Sequence, residues 1–410
     1  MNSSYNTERP LVMHIDLNSC FATVEQQARP LLRGRPIAIV NRRTENTAII
    51  TASYEAKKYG VKVGMRFKEA KLLVPDLIPI ETDPAKYRYV YHRMMDMMKQ
   101  YSPHVVMKSI DEGVIDFKHA TGQMQSRDLE DIGREIKQRM QDEIGCAMRC
   151  NVGIGTNRFL AKTAAGLHKP DGLDVITHEN LRATLATMKL TDLTGIAYRN
   201  EQRLNAVGIE TPVQFLDASP ETLHKMVFKS ICGDEWHQRL RGYEVDDRIF
   251  DLKTVGRQYV LESPHLSDSK ILQRLHHLSE SVGAKLRSQD KVARGVFVYV
   301  KTYERKYWHA RRMCEMPFFS NQAIYALASQ LFAGAPANIR EIGVSCYELS
   351  DDLDPQLSLF GDKIAIDKQL VNAIDELNDR YGDRTIHAAD TLGTGMYVKQ
   401  KIPFGSTRYL

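Results

Sequence analysis

The stretch Val105-Val106-Met107-Lys108-Ser109-Ile110-Asp111-Glu112-Gly113-Val114-Ile115-Asp116-Phe117 sets two adjacent carboxylates between two apolar runs. Short apolar runs on either side of a polar centre read as two strands joined through an acidic turn. Side-by-side carboxylates repel each other, so a positive partner is expected, and a divalent cation is the obvious one. A second strand end bears on the first: in Leu11-Val12-Met13-His14-Ile15-Asp16 an apolar run closes on Asp16. Three carboxylates converging on one sheet surface is the arrangement that two-metal phosphoryl transfer needs.

At 410 residues the chain exceeds one hydrophobic core and is expected to divide into several domains. With 43% hydrophobic and 26% charged residues it has the composition of a globular protein. A net charge of +5 favours an anionic partner only weakly. The six cysteines, Cys20, Cys146, Cys150, Cys232, Cys314 and Cys346, form no CxxC pair and no zinc-like spacing. Reduced thiols in a cytoplasmic chain are expected. Met1 to Pro10 is polar and carries no apolar signal region, and no apolar run approaches the length of a membrane span.

Strand and helix signals alternate through the first part. Thr47 to Ala52 reads as a strand, and Tyr54 to Tyr59 as a helix start that Gly60 stops. Tyr87, Val90, Tyr91, Met94, Met98 and Tyr101 recur at helical spacing and read as core packing. After the acidic hairpin come a charged helix around Arg127 to Glu143 and a strand at Arg149 to Ile154. The order strand-helix-strand-strand-helix-strand predicts a ferredoxin-like split arrangement with an inserted segment.

From Leu190 to Val227 the pattern is short and helical. Asp192-Leu193-Thr194-Gly195-Ile196 and Leu204-Asn205-Ala206-Val207-Gly208-Ile209 resemble a helix-hairpin-helix that could hold a nucleic-acid phosphate. Ala197 replaces its second glycine, and a plain helical connector is a serious competitor. Beyond a linker at Asp246 to Lys253, strands at Val255 to Leu261, Gly295 to Tyr303, Trp308 to Glu315 and Glu341 to Leu349 predict a second βαββαβ unit. Its helices are marked by Ile271, Leu275, Leu278, Val282 and Leu286, and by Ile324, Leu327, Ala328 and Leu331. Arg257, Lys301, Arg305, Lys306, Arg311 and Arg312 accompany its strands, beside Tyr303, Tyr307 and Trp308. They suit a backbone-tracking DNA surface or a solvated sheet face, and the region alone does not choose. The tail carries Gln356-Leu357-Ser358-Leu359-Phe360, apolar anchors suited to a partner's pocket, before a helical stretch at Ile364 to Arg380.

Met13-His14-Ile15-Asp16-Leu17-Asn18-Ser19-Cys20-Phe21-Ala22-Thr23-Val24-Glu25, Tyr54-Glu55-Ala56-Lys57-Lys58-Tyr59-Gly60-Val61 and Ser109-Ile110-Asp111-Glu112 together resemble the Y-family translesion DNA polymerases. The bacterial DNA polymerase IV and polymerase V branch fits best, in register from about Leu11 to Leu349. The resemblance implies an α+β multidomain right hand with a ferredoxin-like palm at 1–19 and 86–176 and fingers at 20–85. It further implies a helical thumb at 177–245, a linker at 246–253, a βαββαβ little finger at 254–350 and a tail at 351–410. The implied activity is template-directed, low-fidelity synthesis opposite damaged bases.

By the same resemblance Asp16 and Asp111 bind two Mg²⁺ ions, with Mn²⁺ as a substitute. Glu112 binds the primer-side ion, and the Leu17 carbonyl helps hold the nucleotide-side one. Phe21 stands where the family keeps a steric gate against the ribose 2′-hydroxyl, and Cys20 replaces an aromatic beside it. Tyr54, Lys57 and Lys169 are implied triphosphate contacts, Lys57 standing where many members carry arginine, and Lys162 lies near the DNA. Gln356, Leu357, Ser358, Leu359 and Phe360 resemble the sliding-clamp-binding pentapeptide. The implied partners are primer-template DNA, a deoxynucleoside triphosphate, the sliding clamp and an accessory SOS-response protein, with no membrane.

Two readings of other classes compete. A non-catalytic, clamp-bound relative would tend to lose the acidic triad, whereas all three acids are present. A nucleotide cyclase also uses paired acids on such a palm, but has no role for the basic second module or the clamp-like peptide.

Overall fold

The computed structural model describes residues 4–248, 251–351 and 362–398, which fall into two compact units divided near residue 249. The first unit holds β1 (Val12–Leu17), β2 (Ile37–Val40), β3 (Ile49–Ala52), β4 (Ile78–Glu81), β5 (Val105–Met107), β6 (Glu112–Asp116), β7 (Cys150–Gly155) and β8 (Leu173–Val175). Five of these form the sheet β5-β6-β1-β7-β8, with β1 antiparallel to both β6 and β7. The central strand is covered on both faces, which is why Val12, Met13, Ile15 and Leu17 form a nearly continuous apolar run. The helix Pro84–Lys99 buries Tyr87, Val90, Tyr91, Met94 and Met98, as the helical spacing predicts, and Met97 as well.

The sheet carries one strand more than the expected split motif. Leu173-Asp174-Val175 pairs parallel with β7 but is three residues long, too short for any period to register. A separate sheet, β3-β2-β4, belongs to the inserted segment, and only β3 is predicted from sequence. Ile78-Pro79-Ile80-Glu81 hides the strand that pairs parallel with β2, because a proline interrupts it. Downstream, the helix Tyr198–Asn205 follows Gly195, whose φ is +97°, but the limb before it is one 3₁₀ turn, Leu190–Asp192. The helix-hairpin-helix pattern is therefore incomplete at its first limb as well as at Ala197.

The second unit contains β9 (Thr254–Val260), β10 (Lys291–Thr302), β11 (Tyr307–Phe318) and β12 (Ile339–Asp351), all antiparallel in the order β11-β10-β12-β9. The helices Asp268–Arg287 and Asn321–Phe332 follow β9 and β11, completing βαββαβ. Alternation splits the basic residues between two faces. Arg257 pairs with buried Val344 and shares its face, while Arg311 pairs with Phe297 on the open face. The open face also stacks Phe297, Tyr299, Tyr307 and His309. The six cations therefore do not form one surface.

Residues 362–398 of the tail belong to this unit. Beyond the helix Asp362–Tyr381, residues 382–398 fold onto the helix Asp268–Arg287 through polar contacts. Buried Glu280 accepts from the Ala388 amide (2.8 Å), the Thr391 hydroxyl and Arg384, and His277 meets Thr394 (2.7 Å). The pentapeptide Gln356 to Phe360 lies outside the described residues. Among those described, no helix is long and apolar enough to cross a membrane, and the six cysteines are unpaired.

Candidate active site

Strand register brings the acids together. Asp16, near the end of β1, lies opposite Glu112 at the start of β6, and the Leu17 amide donates to the Asp111 carbonyl (2.8 Å). His14 sits two residues before Asp16 and so on the same face of β1. One ligand atom from each of His14, Asp16 and Glu112 lies within 4.8 Å of the others. Asp111 adjoins them in the turn, where its carboxylate accepts from the Ser109 hydroxyl (2.5 Å).

Neighbouring acids sit in opposite environments. Burial pushes the Asp111 carboxyl above its ordinary value, and the charges of Asp16 and Glu112 add to this against the Ser109 hydrogen bond. Burial acts upward on Glu112 too, but hydrogen bonds and charge from His14 and Lys162 overcome it and hold that carboxyl at about 2. Lys162 reaches both Glu112 oxygens (2.8 and 2.7 Å), and the His14 Nε2–H donates to Oε2 (3.2 Å). Lys169 donates to Asp16 (2.8 Å).

Two scaffolds place these lysines. Lys162 rides on the helix Arg158–Leu167, which lies against β7 so closely that a Cβ on Gly153 would stand 2.1 Å from the Ala161 carbonyl oxygen. Only glycine permits that approach. Lys169 is held by a chain of buried amides: Asn18 donates to Asn151 (2.7 Å), Asn151 donates to the His168 carbonyl (3.0 Å), and the Asp171 amide donates back to Asn18 (2.8 Å).

The inserted segment supplies the other side chains. Ser53 caps the short helix Tyr54–Lys57, placing Tyr54 and Lys57 on one face with the Lys57 ammonium 4.7 Å from the Tyr54 ring centre. Lys57 donates to Ser19 (2.7 Å), a residue in left-handed backbone geometry with φ +47°. Burial lowers the Lys57 ammonium, and Lys169 repels it further while Asp16 opposes both. Phe21 is buried and stacks on Tyr87, ring centres 4.1 Å apart and planes 8° from parallel. Cys20, buried beside it, has its thiol pushed up by burial and by Asp111 and Asp16.

Asp16, Leu17, Asp111, Glu112, Tyr54, Lys57 and Lys169 thus border one acidic centre, with Phe21 on the helix that follows β1. His14, Asn18 and Asn151 have no part in the sequence reading. His14 was accessible through the period-two spacing from Asp16, whereas buried polar amides carry no such signal. The carboxylates of Asp16 and Glu112 cluster with His14, and the partly buried Asp111 carboxyl adjoins them with its pKa pushed up; carboxylate oxygens suit a hard divalent cation such as Mg²⁺, whose charge would relieve Asp111.

This chain matches the impB/mucB/samB family over residues 15–166 and that family's C-terminal domain over residues 253–359. It is 32% identical to the DNA polymerase IV of Moorella thermoacetica over 94% of this chain and 97% of that one. The DNA polymerase IV of Oceanobacillus iheyensis is 27% identical over 94% and 93%. Among solved structures, a Y-family DNA polymerase chimera of Dbh and Dpo4 superposes with a TM-score of 0.70 at 23% identity, over 83% of this chain and 99% of that one. An insertion ternary complex of Dbh DNA polymerase gives a TM-score of 0.57 over the same shares. The chain therefore belongs to the impB/mucB/samB family of Y-family DNA polymerases. Within it, this is a DNA-directed translesion DNA polymerase of the DNA polymerase IV type, a class that implies a divalent metal, a DNA template and a nucleotide substrate.

Proposed function

We propose that the chain inserts deoxynucleotides with low fidelity opposite damaged template bases, using Asp16, Asp111 and Glu112 as ligands for two Mg²⁺ ions. The observation that carries this is the register of Asp16 against Glu112, with Asp111 adjoining and three lysines bordering the same centre. When bound, such ions supply Lewis-acid activation of the primer 3′-hydroxyl and neutralise the triphosphate; Mn²⁺ substitutes. Asp16 and Asp111 would hold both ions, Glu112 the primer-side one, and the Leu17 carbonyl the nucleotide-side one. Lys57, Lys169 and Tyr54 bind and orient the triphosphate. Lysine at 57 offers a point charge where a guanidinium would grip with a fork, so orientation there is looser. Phe21, backed by Tyr87, excludes a ribose 2′-hydroxyl.

On this reading residues 1–19 and 86–176 are the palm, 20–85 the fingers, 177–245 the thumb and 254–350 the little finger. Gln356 to Phe360 recruits the sliding clamp in the cytoplasm, a reading supported by its sequence alone. Primer extension with Mg²⁺ on undamaged and abasic templates tests the assignment. The unaltered chain extends both and Asp111→Ala extends neither; normal extension by that variant would sink the site. Replacing Leu359 and Phe360 by Ala abolishes clamp stimulation while clamp-free synthesis persists, and equal loss of both would mean that the tail acts in folding.

A further inference from the structure

The helix Arg158–Leu167 presents two cations to β6 on unequal terms. Arg158 and Lys162 are one turn apart and face Asp116 and Glu112, which share one face of that strand. Arg158 is held from two sides, 3.9 Å from Asp116 and 3.2 Å from Glu244. Among the described residues, the only carboxylate within ion-pair distance of Lys162 is Glu112, and its side chain is 33% exposed against 12% for Arg158.

Glu112 meets two protein donors. Oε1 accepts from Lys162, and Oε2 accepts from Lys162 and His14. A divalent cation arriving at this carboxylate meets the Lys162 ammonium, which spans both oxygens, so two positive charges compete for one acceptor. His14 is 1% exposed on the central strand and cannot retreat. The helix packs directly on β7, its backbone at Ala161 against Gly153. The Lys162 side chain is the one movable member, with a flexible stem and an ammonium at the solvent edge.

We propose that Lys162 is a resident counter-cation of Glu112, exchanged for the divalent ion as the site loads, whose released ammonium then takes a phosphate of the primer strand. This rests on the polymerase reading above, in which Glu112 faces the primer. Lys162 is a positioning residue on this account: it satisfies a partly buried carboxylate while the site is metal-free, when an unpaired charge would be costly. The exchange couples two ligands. Whatever draws Lys162 away from Glu112 strengthens ion binding, and an ion at Glu112 strengthens primer binding by an equal factor.

The test uses the full chain and Mn²⁺ alone, with free Mn²⁺ followed by electron paramagnetic resonance in the absence of DNA and nucleotide. Lys162→Met should bind Mn²⁺ about tenfold more tightly, the worth of one charge-assisted contact. Lys162→Gln should shift in the same direction, and Lys162→Arg should stay near the unaltered chain. Thermal melting identifies any variant that fails to fold. Equal or weaker Mn²⁺ binding by folded Lys162→Met and Lys162→Gln overturns the exchange.

A second arm measures primer-template affinity against salt, with Ca²⁺ or with chelator. Lys162→Met should flatten the logarithmic salt slope by about one phosphate contact, ~0.9, with Ca²⁺ only. Equal flattening in both conditions would make Lys162 an ordinary backbone contact and overturn the exchange. Failure of the polymerase reading looks different: the unaltered chain itself would then extend no primer with Mg²⁺.

Discussion

Glu25 is a buried carboxylate of the first unit and Asp111 a partly buried one, and their surroundings differ in kind. Glu25, 0% exposed in the helix Cys20–Ala28, accepts from Lys86 (3.0 and 2.8 Å) and from the Tyr87 hydroxyl (3.1 Å), with Arg29 at 3.7 Å. Asp111 accepts from the Ser109 hydroxyl and its own amide, has no cationic partner among the described residues, and faces two like charges. The first is complete as folded, and its donors turn a buried acid into a brace behind Phe21. The second is incomplete, and the deficit is what a cation would fill. Acids therefore divide by what surrounds them: one held wholly by donors marks architecture, and one left among like charges marks chemistry.

Substitution separates the two most strongly at their amides. Asp111→Asn should abolish primer extension while raising the melting temperature of the metal-free chain, because it removes a charge the fold disfavours. Glu25→Gln should do the reverse, lowering stability by about 3 kcal/mol through a broken buried pair and leaving deoxynucleotide addition intact below the new melting point. A fall in melting temperature for Asp111→Asn would break the comparison. The pH dependence has a definite sign. The raised Asp111 pKa means that the folded state holds this proton more readily than the unfolded state does, so the cost of its charge is relieved as pH falls through the folded value. The advantage of Asp111→Asn should shrink accordingly in acid. Glu112 runs the opposite way: with its carboxyl held at about 2, its contribution is present above the ordinary glutamate value and lost as pH falls toward 2.

The acidic centre was legible because its carboxylates interrupt apolar strands, where charge is out of place and so conspicuous. The ferredoxin-like order and the second βαββαβ unit were legible because their strands and helices are long enough to show a period. What escaped lacks periodicity. Leu173-Asp174-Val175 is too short, Ile78 to Glu81 contains a proline, and residues 382–398 are docked by hydrogen bonds to Glu280, His276 and His277. The Glu25 brace escaped for another reason. In the helix Cys20–Ala28 even Thr23, Glu25 and Gln26 are buried, so the polar side of that helix faces protein where an amphipathic reading expects solvent.

The smallest expected effect tests how far that brace reaches toward the chemistry. Phe21 is held by the stack on Tyr87, and the Tyr87 ring is held by its hydroxyl on Glu25. Phe21→Ala removes the ring itself and should raise ribonucleotide incorporation relative to deoxynucleotide incorporation; an unchanged ratio would return Phe21 to the core. Tyr87→Phe keeps the stacked ring and removes only the hydrogen bond, worth about 1 kcal/mol. It should therefore shift the ratio in the same direction but by less, at most about fivefold if that whole bond energy reached the sugar. Competitive incorporation at one template position measures both ratios. If Tyr87→Phe loses stability with no change in sugar choice, the Glu25 brace ends at Tyr87 and the gate stands on stacking alone.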